Sequence, residues 1–408
     1  SLIQPSRNNL KYLKWSYDSI RKNQGEHEVE ICIADDFSDD GTNIWCQHMV
    51  EKDTYFKWIR NHGPTRLGHT ILYDELVNEI ASHDICMIYH ADMYLCPGAL
   101  DAIEKHMYGT PEEPIVESRI VSLTRIEPPL HPPGPEKVIH DCGLEPEEFK
   151  EKELLQYIED RLEQFDKVPT TEGIFAPWAF WKKDFQEIGG HDPLYAPQSK
   201  EDSDIFNRFV LAGYDLKQTW KGFVYHMTCR GSRFKDGAFR NPAGQVFMDG
   251  RESNEWLIQN LRSTRNFIRK WGHMVKHDEL MYPIIPPKYD VGFVVENCDI
   301  NLLKELEPWC SNIHVTLNPE QIRNYIKKEQ PDTQFNLTEK ILYHSQPTTN
   351  DVIVRFDARL LTPQNFQILV NLSDILKESG EVGEMELEIF KFHVKSLDSY
   401  ERELINVV

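Results

Sequence analysis

Short apolar runs alternate with helix-like segments through the first hundred residues of the chain. Strand-like runs lie at 29–34, 55–60 and 85–89, and residues 9–22 place apolar side chains three or four positions apart, as on one helix face. Strands that alternate with helices pair in parallel, because each helix carries the chain back to the starting edge of the sheet. The pattern predicts an α/β fold with a mostly parallel central sheet flanked by helices.

Proline and glycine divide the rest of the chain. Residues 111–146 are rich in both and show little periodicity, so a long loop is predicted there. The prolines at 283–287 indicate a linker between a first domain, residues 1–282, and a smaller α/β domain, residues 289–408. The second domain shows no cluster of catalytic residue types. It is interpreted as a module that joins copies of the chain into a homo-oligomer, as an acceptor-binding module, or as the remnant of a longer enzyme.

The charge balance restricts the partners of the chain. Its 408 residues carry 45 Lys and Arg against 66 Asp and Glu, a net charge of −21. Such a surface repels phosphate backbones and anionic lipids, so nucleic acid is not expected as a partner. No apolar run reaches the roughly 18 residues of a membrane span, so no span is expected.

The N-terminal segment and the cysteines indicate the compartment. The segment SLIQPSRNNLKYLKW lacks an apolar stretch behind a basic one, so no secretory signal is expected, and it opens like a strand already under way in a longer protein. The eight cysteines are scattered without a C-x-x-C pair, which argues against a zinc ribbon. We expect reduced thiols and a cytoplasmic protein.

Acidic side chains follow two of the predicted strands. Asp35 and Asp36 come after the strand at 29–34, and Asp92 follows the strand at 85–89. Ligands of open parallel sheets bind outside the carboxyl ends of the strands, so both positions face one crevice. A carboxylate at the first position accepts hydrogen bonds from a base or ribose, and one at the second binds a divalent cation that bridges a diphosphate. The alternative is that these acids only form turns.

Five motifs follow one another in a characteristic order. They are Pro5-Ser-Arg-Asn, Ala34-Asp-Asp-Phe-Ser-Asp-Asp-Gly-Thr42, Ala91-Asp92 with Pro97 five residues on, Gly189-Gly190, and Glu201-Asp202-Ser-Asp204. In this order and spacing they resemble the family 2 glycosyltransferases, whose GT-A fold is a Rossmann-like α/β architecture. The resemblance covers roughly residues 1–230 and indicates no particular substrate.

The resemblance implies roles for individual residues. It assigns nucleotide-sugar binding to Pro5, Ser6, Arg7, Asp36 and Ala91, metal binding to Asp92, and general-base catalysis to Asp202 with Glu201 beside it. A looser match makes His226 a ligand of the metal or of the diphosphate. The D-x-D motif of the family departs here to His90-Ala91-Asp92. His90 is therefore interpreted either as a contact of the ribose or diphosphate or as a partly buried histidine.

Two further predictions concern residues beyond these motifs. Lys and Arg are in excess between residues 217 and 240, where Arg230 and Arg233 follow His226 closely enough to clamp a diphosphate. The alternative is a solvated basic loop. Trp178 lies where relatives place an acceptor-side wall, and it is interpreted either as that wall or as a core tryptophan.

The predicted function is transfer of a sugar, with inversion, from a nucleoside-diphosphate sugar to a hydroxyl of a glycan or another acceptor. The transfer is assisted by Mn²⁺ or Mg²⁺ and serves polysaccharide or glycan biosynthesis. Asp202 is expected to act as the base without a large shift of its pKa. One alternative is a nucleotidyltransferase of related fold, although Pro5-Ser-Arg-Asn lacks the glycines of a phosphate loop. The other is a non-catalytic module that binds a nucleotide or sugar.

Overall fold

Two compact units make up the chain. The computed structural model describes residues 1–109, 118–164, 169–228, 238–243, 245–248 and 254–407. The N-terminal unit contains residues 1–258, 277–283 and 406–408, and the C-terminal unit contains residues 259–276 and 284–405. The domain boundary placed at 282–289 stays a prediction about independent folding, which compactness alone does not test.

The N-terminal unit alternates strands and helices, as the sequence pattern predicts. Its elements are β1 (Leu2–Ser6), α1 (Leu10–Asn23), β2 (Ile31–Asp36), α2 (Thr42–Lys52), β3 (Phe56–Asn61), α3 (His69–Glu75), β4 (Ile85–Ile88), β5 (Met93–Leu95), α4 (Ala99–Tyr108), β6 (Arg119–Glu127), β7 (Val138–Ile139), α5 (Glu151–Gln164), β8 (Thr170–Glu172), β9 (Trp178–Trp181), α6 (Lys182–Glu187), α7 (Glu201–Leu211), β10 (Asp215–His226), β11 (Ala238–Arg240), β12 (Val246–Met248) and the start of α8 (Asn254–Trp271).

Ten of these strands form one sheet. Their order is β3-β2-β1-β4-β9-β6-β10-β5, with β7 beside β6 and β8 beside β10. Strands β1 to β4 are parallel to one another, and β6 is parallel to β10. The apolar side chains of β1, β2 and β4 are buried, because helices cover both faces of a parallel sheet. The predicted α/β fold is thereby confirmed.

Strand pairing brings residues from distant parts of the sequence to one edge of the sheet. Ser6 at the end of β1 lies opposite Asp35 at the end of β2. His226, the last residue of β10, lies opposite Met93 on β5, and its neighbour Tyr225 lies opposite Ile126 on β6. This register places His226 beside both Asp92 and Glu127.

The prediction of a long loop over residues 111–146 is wrong for part of that range. Strand β6 occupies Arg119–Glu127, between β9 and β10 in the sheet. All but the first of its residues are buried. The prolines that suggested a loop flank the strand instead of interrupting it, which is where a central strand tolerates them.

The C-terminal unit has its own six-stranded sheet, which confirms the prediction of a second, smaller α/β region. Its elements after α8 are β13 (Val291–Glu296), α9 (Ile300–Leu306), β14 (Asn312–Val315), α10 (Pro319–Glu329), α11 (Leu337–Lys340), β15 (Ile341–Tyr343), β16 (Val352–Asp357), α12 (Pro363–Val370), α13 (Leu372–Ser379), β17 (Gly383–Leu387) and β18 (Phe390–Val394). The sheet order is β15-β14-β13-β16-β18-β17.

Buried charges connect the last part of α8 to the rest of the C-terminal unit. The Arg269 guanidinium lies 2.6 Å from a Glu307 carboxylate oxygen and 2.8 Å from one of Glu329. Lys340 Nζ lies 2.9 Å from Glu307. A buried charge is tolerated when its partners are buried with it, so these side chains require one another. Along the described residues, no helix combines the length and the apolar character that crossing a bilayer requires.

Candidate active site

A cleft of about 540 Å³ opens in the N-terminal unit at the carboxyl ends of its strands. The sequence-predicted residues that line it are Pro5, Ser6, Arg7, Asp36, His90, Ala91, Asp92, Glu201, Asp202 and His226. They come from the ends of β1, β2 and β10, the segment after β4 and the start of α7. One concave surface therefore contains nearly every residue that the motifs indicated.

Three predicted site residues are not placed in the cleft. Arg230 and Arg233 lie outside the described residues. Trp178, on β9, is 0% exposed and packs against Phe206 and Phe209. Its ring therefore offers no face to a sugar, and the structure corrects the acceptor-side interpretation in favour of a core tryptophan.

Asp36 is held in place by the loop before α3. Its Oδ1 accepts hydrogen bonds from Asn61 Nδ2 (2.8 Å) and Leu67 N (3.0 Å), and its Oδ2 accepts one from Gly68 N (2.9 Å). Gly68 has a φ of +79°, and a Cβ there would lie 2.1 Å from the carbonyl oxygen of Pro197. Only glycine fits this close approach, so Gly68 fixes the loop that orients Asp36.

Polar atoms without a partner surround the end of β1. Ser6 Oγ and Arg7 Nε are buried and have no hydrogen-bond partner among the described residues. Buried polar atoms are normally paired in folded proteins. A hydroxyl and a guanidinium Nε–H left in this state at the wall of a cleft are suited to a ligand that accepts hydrogen bonds.

His90, Asp92 and His226 form a cluster of metal-binding side chains. One ligand atom from each lies within 4.8 Å of the others. His226 Nε2 is 3.4 Å from Asp92 Oδ1. Burial, followed by the neighbouring His226, lowers the pKa of His90 to about 3, so this imidazole is neutral and available as a ligand. The donor set of two imidazoles and one carboxylate fits a divalent transition metal such as Mn²⁺ better than Mg²⁺, which prefers oxygen ligands.

Glu127 orients the His226 ring through a hydrogen bond to Nδ1. His226 Nδ1 donates to Glu127 Oε1 at 3.0 Å, so Nε2 points to Asp92. Burial by itself would lower the pKa of His226, but Asp92 and Glu127 outweigh it and raise the pKa to about 9, so a divalent cation must displace a proton in order to bind Nε2. Glu127 in turn contacts Arg125 (3.1 Å) and Lys137 (3.2 Å). A carboxylate behind a histidine is a common way to orient a metal ligand.

The first turn of α7 presents two carboxylates with different surroundings. Glu201 is buried, and its Oε1 accepts a hydrogen bond of 2.6 Å from His69 Nε2 at the start of α3. Burial favours the neutral forms of both groups, but their attraction outweighs it. The pKa of Glu201 is therefore lowered and that of His69 raised, so the two form an ion pair.

Asp202 is the more exposed carboxylate, and its pKa departs from the sequence-based expectation. Burial, followed by the negative charge of Glu201, raises the pKa of Asp202 to about 6. The expectation of no large shift is therefore wrong. A carboxyl group with this pKa is still mostly ionised at neutral pH, and it is a stronger base than an ordinary aspartate.

Asp204 forms a buried ion pair with Arg208 on the same helix. Its Oδ2 accepts a hydrogen bond of 2.8 Å from Arg208 Nε, and both side chains are 0% exposed. Arg208 also donates to the carbonyl oxygens of Ile188 (2.9 Å) and Gly190 (2.5 Å). The Gly189-Gly190 motif is thus joined to α7 through Arg208, and it does not line the cleft.

Sequence reasoning missed several residues of the cleft. His69, Arg66, Arg125 and Glu127 all line it. Glu127 ends β6, which sequence analysis interpreted as a loop, so the rule that ligands lie at strand ends was not applied to it. His69 and Arg66 lie in no recognisable motif. Only the contacts with Glu201 and Asp36 reveal them.

The comparison with known families agrees with the motifs. Residues 1–132 match the sequence model of the family described as "Glycosyl transferase family 2". The resemblance drawn from the motifs is therefore confirmed over this range. The Gly189-Gly190 and Glu201-Asp202 motifs lie beyond the matched residues.

Several solved glycosyltransferases are similar to this chain. The mannosyltransferase PcManGT from Pyrobaculum calidifontis, in complex with GDP-Man and Mn²⁺, is 15% identical, with a TM-score of 0.38 over 55% of this chain and 56% of that one. TarS 1-349 of S. aureus in complex with UDP is 13% identical, with a TM-score of 0.37 over 55% and 59%. GalNAc-T7 with UDP, GalNAc and Mn²⁺ is 12% identical, with a TM-score of 0.44 over 66% and 48%.

This chain therefore spans less than two thirds of the length of these proteins. Sequence identities and TM-scores this low give no information about the ligands of this chain. No curated protein matches the sequence.

Proposed function

We propose that the chain is an inverting glycosyltransferase that moves a sugar from a nucleoside-diphosphate sugar to an acceptor hydroxyl. The observation that carries the proposal is the composition of the cleft. It combines unpaired donors at the end of β1, a cluster of metal ligands, and the two carboxylates of α7. These are the groups needed to bind a diphosphate, to stabilise its departure and to activate a hydroxyl.

The donor is expected to bind along β1 and β2. Asp36 accepts three hydrogen bonds, lies 3.5 Å from Arg66 Nε and lines the cleft, so we expect it to receive the N–H of a base together with Arg66. Arg7 Nε and Ser6 Oγ supply donors for ribose or phosphate oxygens. These contacts select a nucleotide without selecting its sugar.

The metal is expected to be held by Asp92 and His226, with His90 as a third ligand. A divalent cation at this position would offset the negative charge that grows on the leaving diphosphate. Glu127 keeps His226 Nε2 directed at this position. The imidazole content of the cluster favours Mn²⁺ over Mg²⁺.

The base is expected to be Asp202 and not Glu201. Glu201 Oε1 accepts a hydrogen bond of 2.6 Å from His69, and the pKa of Glu201 is lowered. Glu201 is therefore the weaker base of the two. Asp202 would accept the proton of the acceptor hydroxyl while that oxygen forms a bond to the anomeric carbon. The bond from that carbon to the diphosphate oxygen breaks on the opposite face, and the nucleoside diphosphate leaves.

A binding panel followed by a turnover assay tests the proposal. Thermal denaturation is measured with UDP, GDP, ADP, CDP and dTDP, each with and without Mn²⁺, because a ligand of the folded state raises the midpoint. Sugars on the selected diphosphate are then assayed for diphosphate release, with water as the default acceptor. The anomer formed first, observed by NMR, reports inversion or retention.

The outcomes separate the proposal from its alternatives. Mn²⁺-dependent binding with turnover that Asp202→Asn abolishes supports an inverting transferase. Binding without turnover across donors and acceptors identifies a non-catalytic module. Release of pyrophosphate from a nucleoside triphosphate and a sugar phosphate identifies a nucleotidyltransferase. No stabilisation by any nucleotide overturns the proposal.

A further inference from the structure

A second cluster of metal-binding side chains lies in the N-terminal unit, away from the cleft. His140 and Cys142 follow β7, and Glu153 lies in the first turn of α5. One ligand atom from each lies within 4.8 Å of the others, and none of the three lines the cleft. We propose that these three side chains form a second metal site, which binds a transition metal ion of the zinc class.

The spacing of the side chains is close to that of a tetrahedral site. His140 Nε2 lies 3.8 Å from Glu153 Oε1. Two ligands at zinc distances of about 2.0–2.3 Å, separated by a tetrahedral angle, lie roughly 3.3–3.8 Å apart. The histidine and the carboxylate therefore need little movement. The Cys142 sulfur lies within 4.8 Å of the other two ligand atoms, so it needs a shift of about 1.5 Å or less to complete the set.

The ligand atoms of the histidine and the carboxylate point to the same place. His140 Nε2 is buried and has no hydrogen-bond partner among the described residues. Its ring stacks on Tyr157, with centroids 3.8 Å apart and planes 5° apart, which fixes the direction of Nε2. Lys150 contacts Glu153 through Oε2, at 3.4 Å. The other oxygen, Oε1, is the one that faces the histidine.

Cys142 supplies the ligand that determines the class of metal. Its thiol is buried and forms no disulfide. A metal ion binds the thiolate form of cysteine, so the proton of this thiol is released when the ion binds. A thiolate, a neutral imidazole and a carboxylate together balance the two charges of a divalent ion. This mixture favours zinc-class ions over Mg²⁺ or Ca²⁺.

The backbone around the cysteine is already fixed in place. Cys142 N donates to Tyr225 Oη at 3.1 Å, and Tyr225 Oη donates to the carbonyl oxygen of Gly143 at 2.6 Å. Lys150 N donates to the carbonyl oxygen of Cys142 at 2.8 Å. An ion here would therefore bind a preorganised loop and connect it to α5. Three protein ligands leave a fourth position for water.

Cobalt titration of the full chain under reducing conditions tests the site. Co²⁺ occupies zinc sites, and a Co²⁺–thiolate bond gives a strong near-ultraviolet charge-transfer band. Among the described residues, the cleft cluster contains no sulfur, so we expect the band to come from the proposed site. We expect the band in the wild-type chain and in Asp92→Ala, and its loss in Cys142→Ser. Cys46→Ser is the matched control, because Cys46 is also buried but lies on α2, and it should keep the band.

A second measurement covers the case in which Cys142→Ser fails to fold. Glu153 has a half-exposed side chain, so Glu153→Gln should fold normally. We expect it to weaken zinc binding by about tenfold or more, measured by competition with a chelator. Absence of the band in the wild-type chain overturns the proposal. So does a band that survives Cys142→Ser, or a zinc affinity that is unchanged in Glu153→Gln.

Discussion

The acid–base behaviour of Asp202 gives the most direct test of the mechanism. This carboxyl group faces the cleft at the start of α7 and has a pKa raised to about 6 by burial and by Glu201. A base must be ionised to accept a proton. Transfer should therefore decline as the pH falls through 6, while an ordinary aspartate would stay active to about pH 4.

The size of the effect follows from the pKa. A group with a pKa of 6 is about 90% ionised at pH 7 and about 10% ionised at pH 5, so kcat/KM should fall roughly tenfold between them. Asp202→Asn removes the base at every pH and should reduce turnover by roughly 100-fold or more. Donor affinity should not change, because the base acts on the acceptor.

The assay is diphosphate release from the donor selected by the binding panel, measured from pH 5 to 8. Donor affinity is measured in parallel at each pH, so that loss of binding is not mistaken for loss of the base. Asp202→Glu is the matched variant, because it keeps a carboxylate and should keep an acid limb in the profile. Near-normal turnover of Asp202→Asn, or a flat wild-type profile down to pH 5 with donor bound, would refute the assignment.

Four further predictions concern the two acidic neighbours of Asp202 on α7, the metal cluster and the C-terminal unit. Glu201→Gln removes a charge that raises the pKa of Asp202, so the acid limb should move to lower pH; a limb that moves upward would contradict the electrostatic account. Asp204→Asn leaves Arg208 buried without its carboxylate and should lower the free energy of unfolding by about 3–5 kcal/mol in chemical denaturation; a loss below about 1 kcal/mol would show that the pair is dispensable. Asp92→Ala should abolish the Mn²⁺ dependence of nucleoside diphosphate binding in calorimetry, and unchanged affinity would remove the metal from this position. A chain of residues 1–282 keeps every described residue of the cleft but removes Glu307 and Glu329, the buried partners of Arg269, so it should bind the same diphosphate at a lower stability; a truncated chain that folds without binding would show that the residues after 282 are needed for the site.

The residues that could be predicted from the sequence lie in local patterns. Asp36 and Asp92 were recognisable because each follows a short apolar strand, and the ends of parallel strands meet at one edge of a sheet. Glu201 and Asp202 were recognisable as a motif in a fixed order. The cleft contains all four.

The residues that could not be predicted depend on pairing between distant segments. Glu127 lies 99 positions before His226, and the parallel pairing of β6 with β10 brings them to 3.0 Å. His69 lies 132 positions before Glu201 and forms an ion pair with it at 2.6 Å. Nothing in the sequence indicates that a histidine and a glutamate so far apart are in contact.

The sequence by itself determined the α/β class, because the alternation of apolar runs and amphipathic segments is a local property that each segment displays on its own. It also indicated four carboxylates that line the cleft, those of Asp36, Asp92, Glu201 and Asp202. The tertiary structure alone decided how those carboxylates behave. The pKa of Asp202 is raised because folding buries it beside Glu201, and Trp178 is a core residue because β9 turns its ring toward α7. Burial and electrostatic coupling depend on atoms contributed by many segments at once, and no single segment of the chain contains that information.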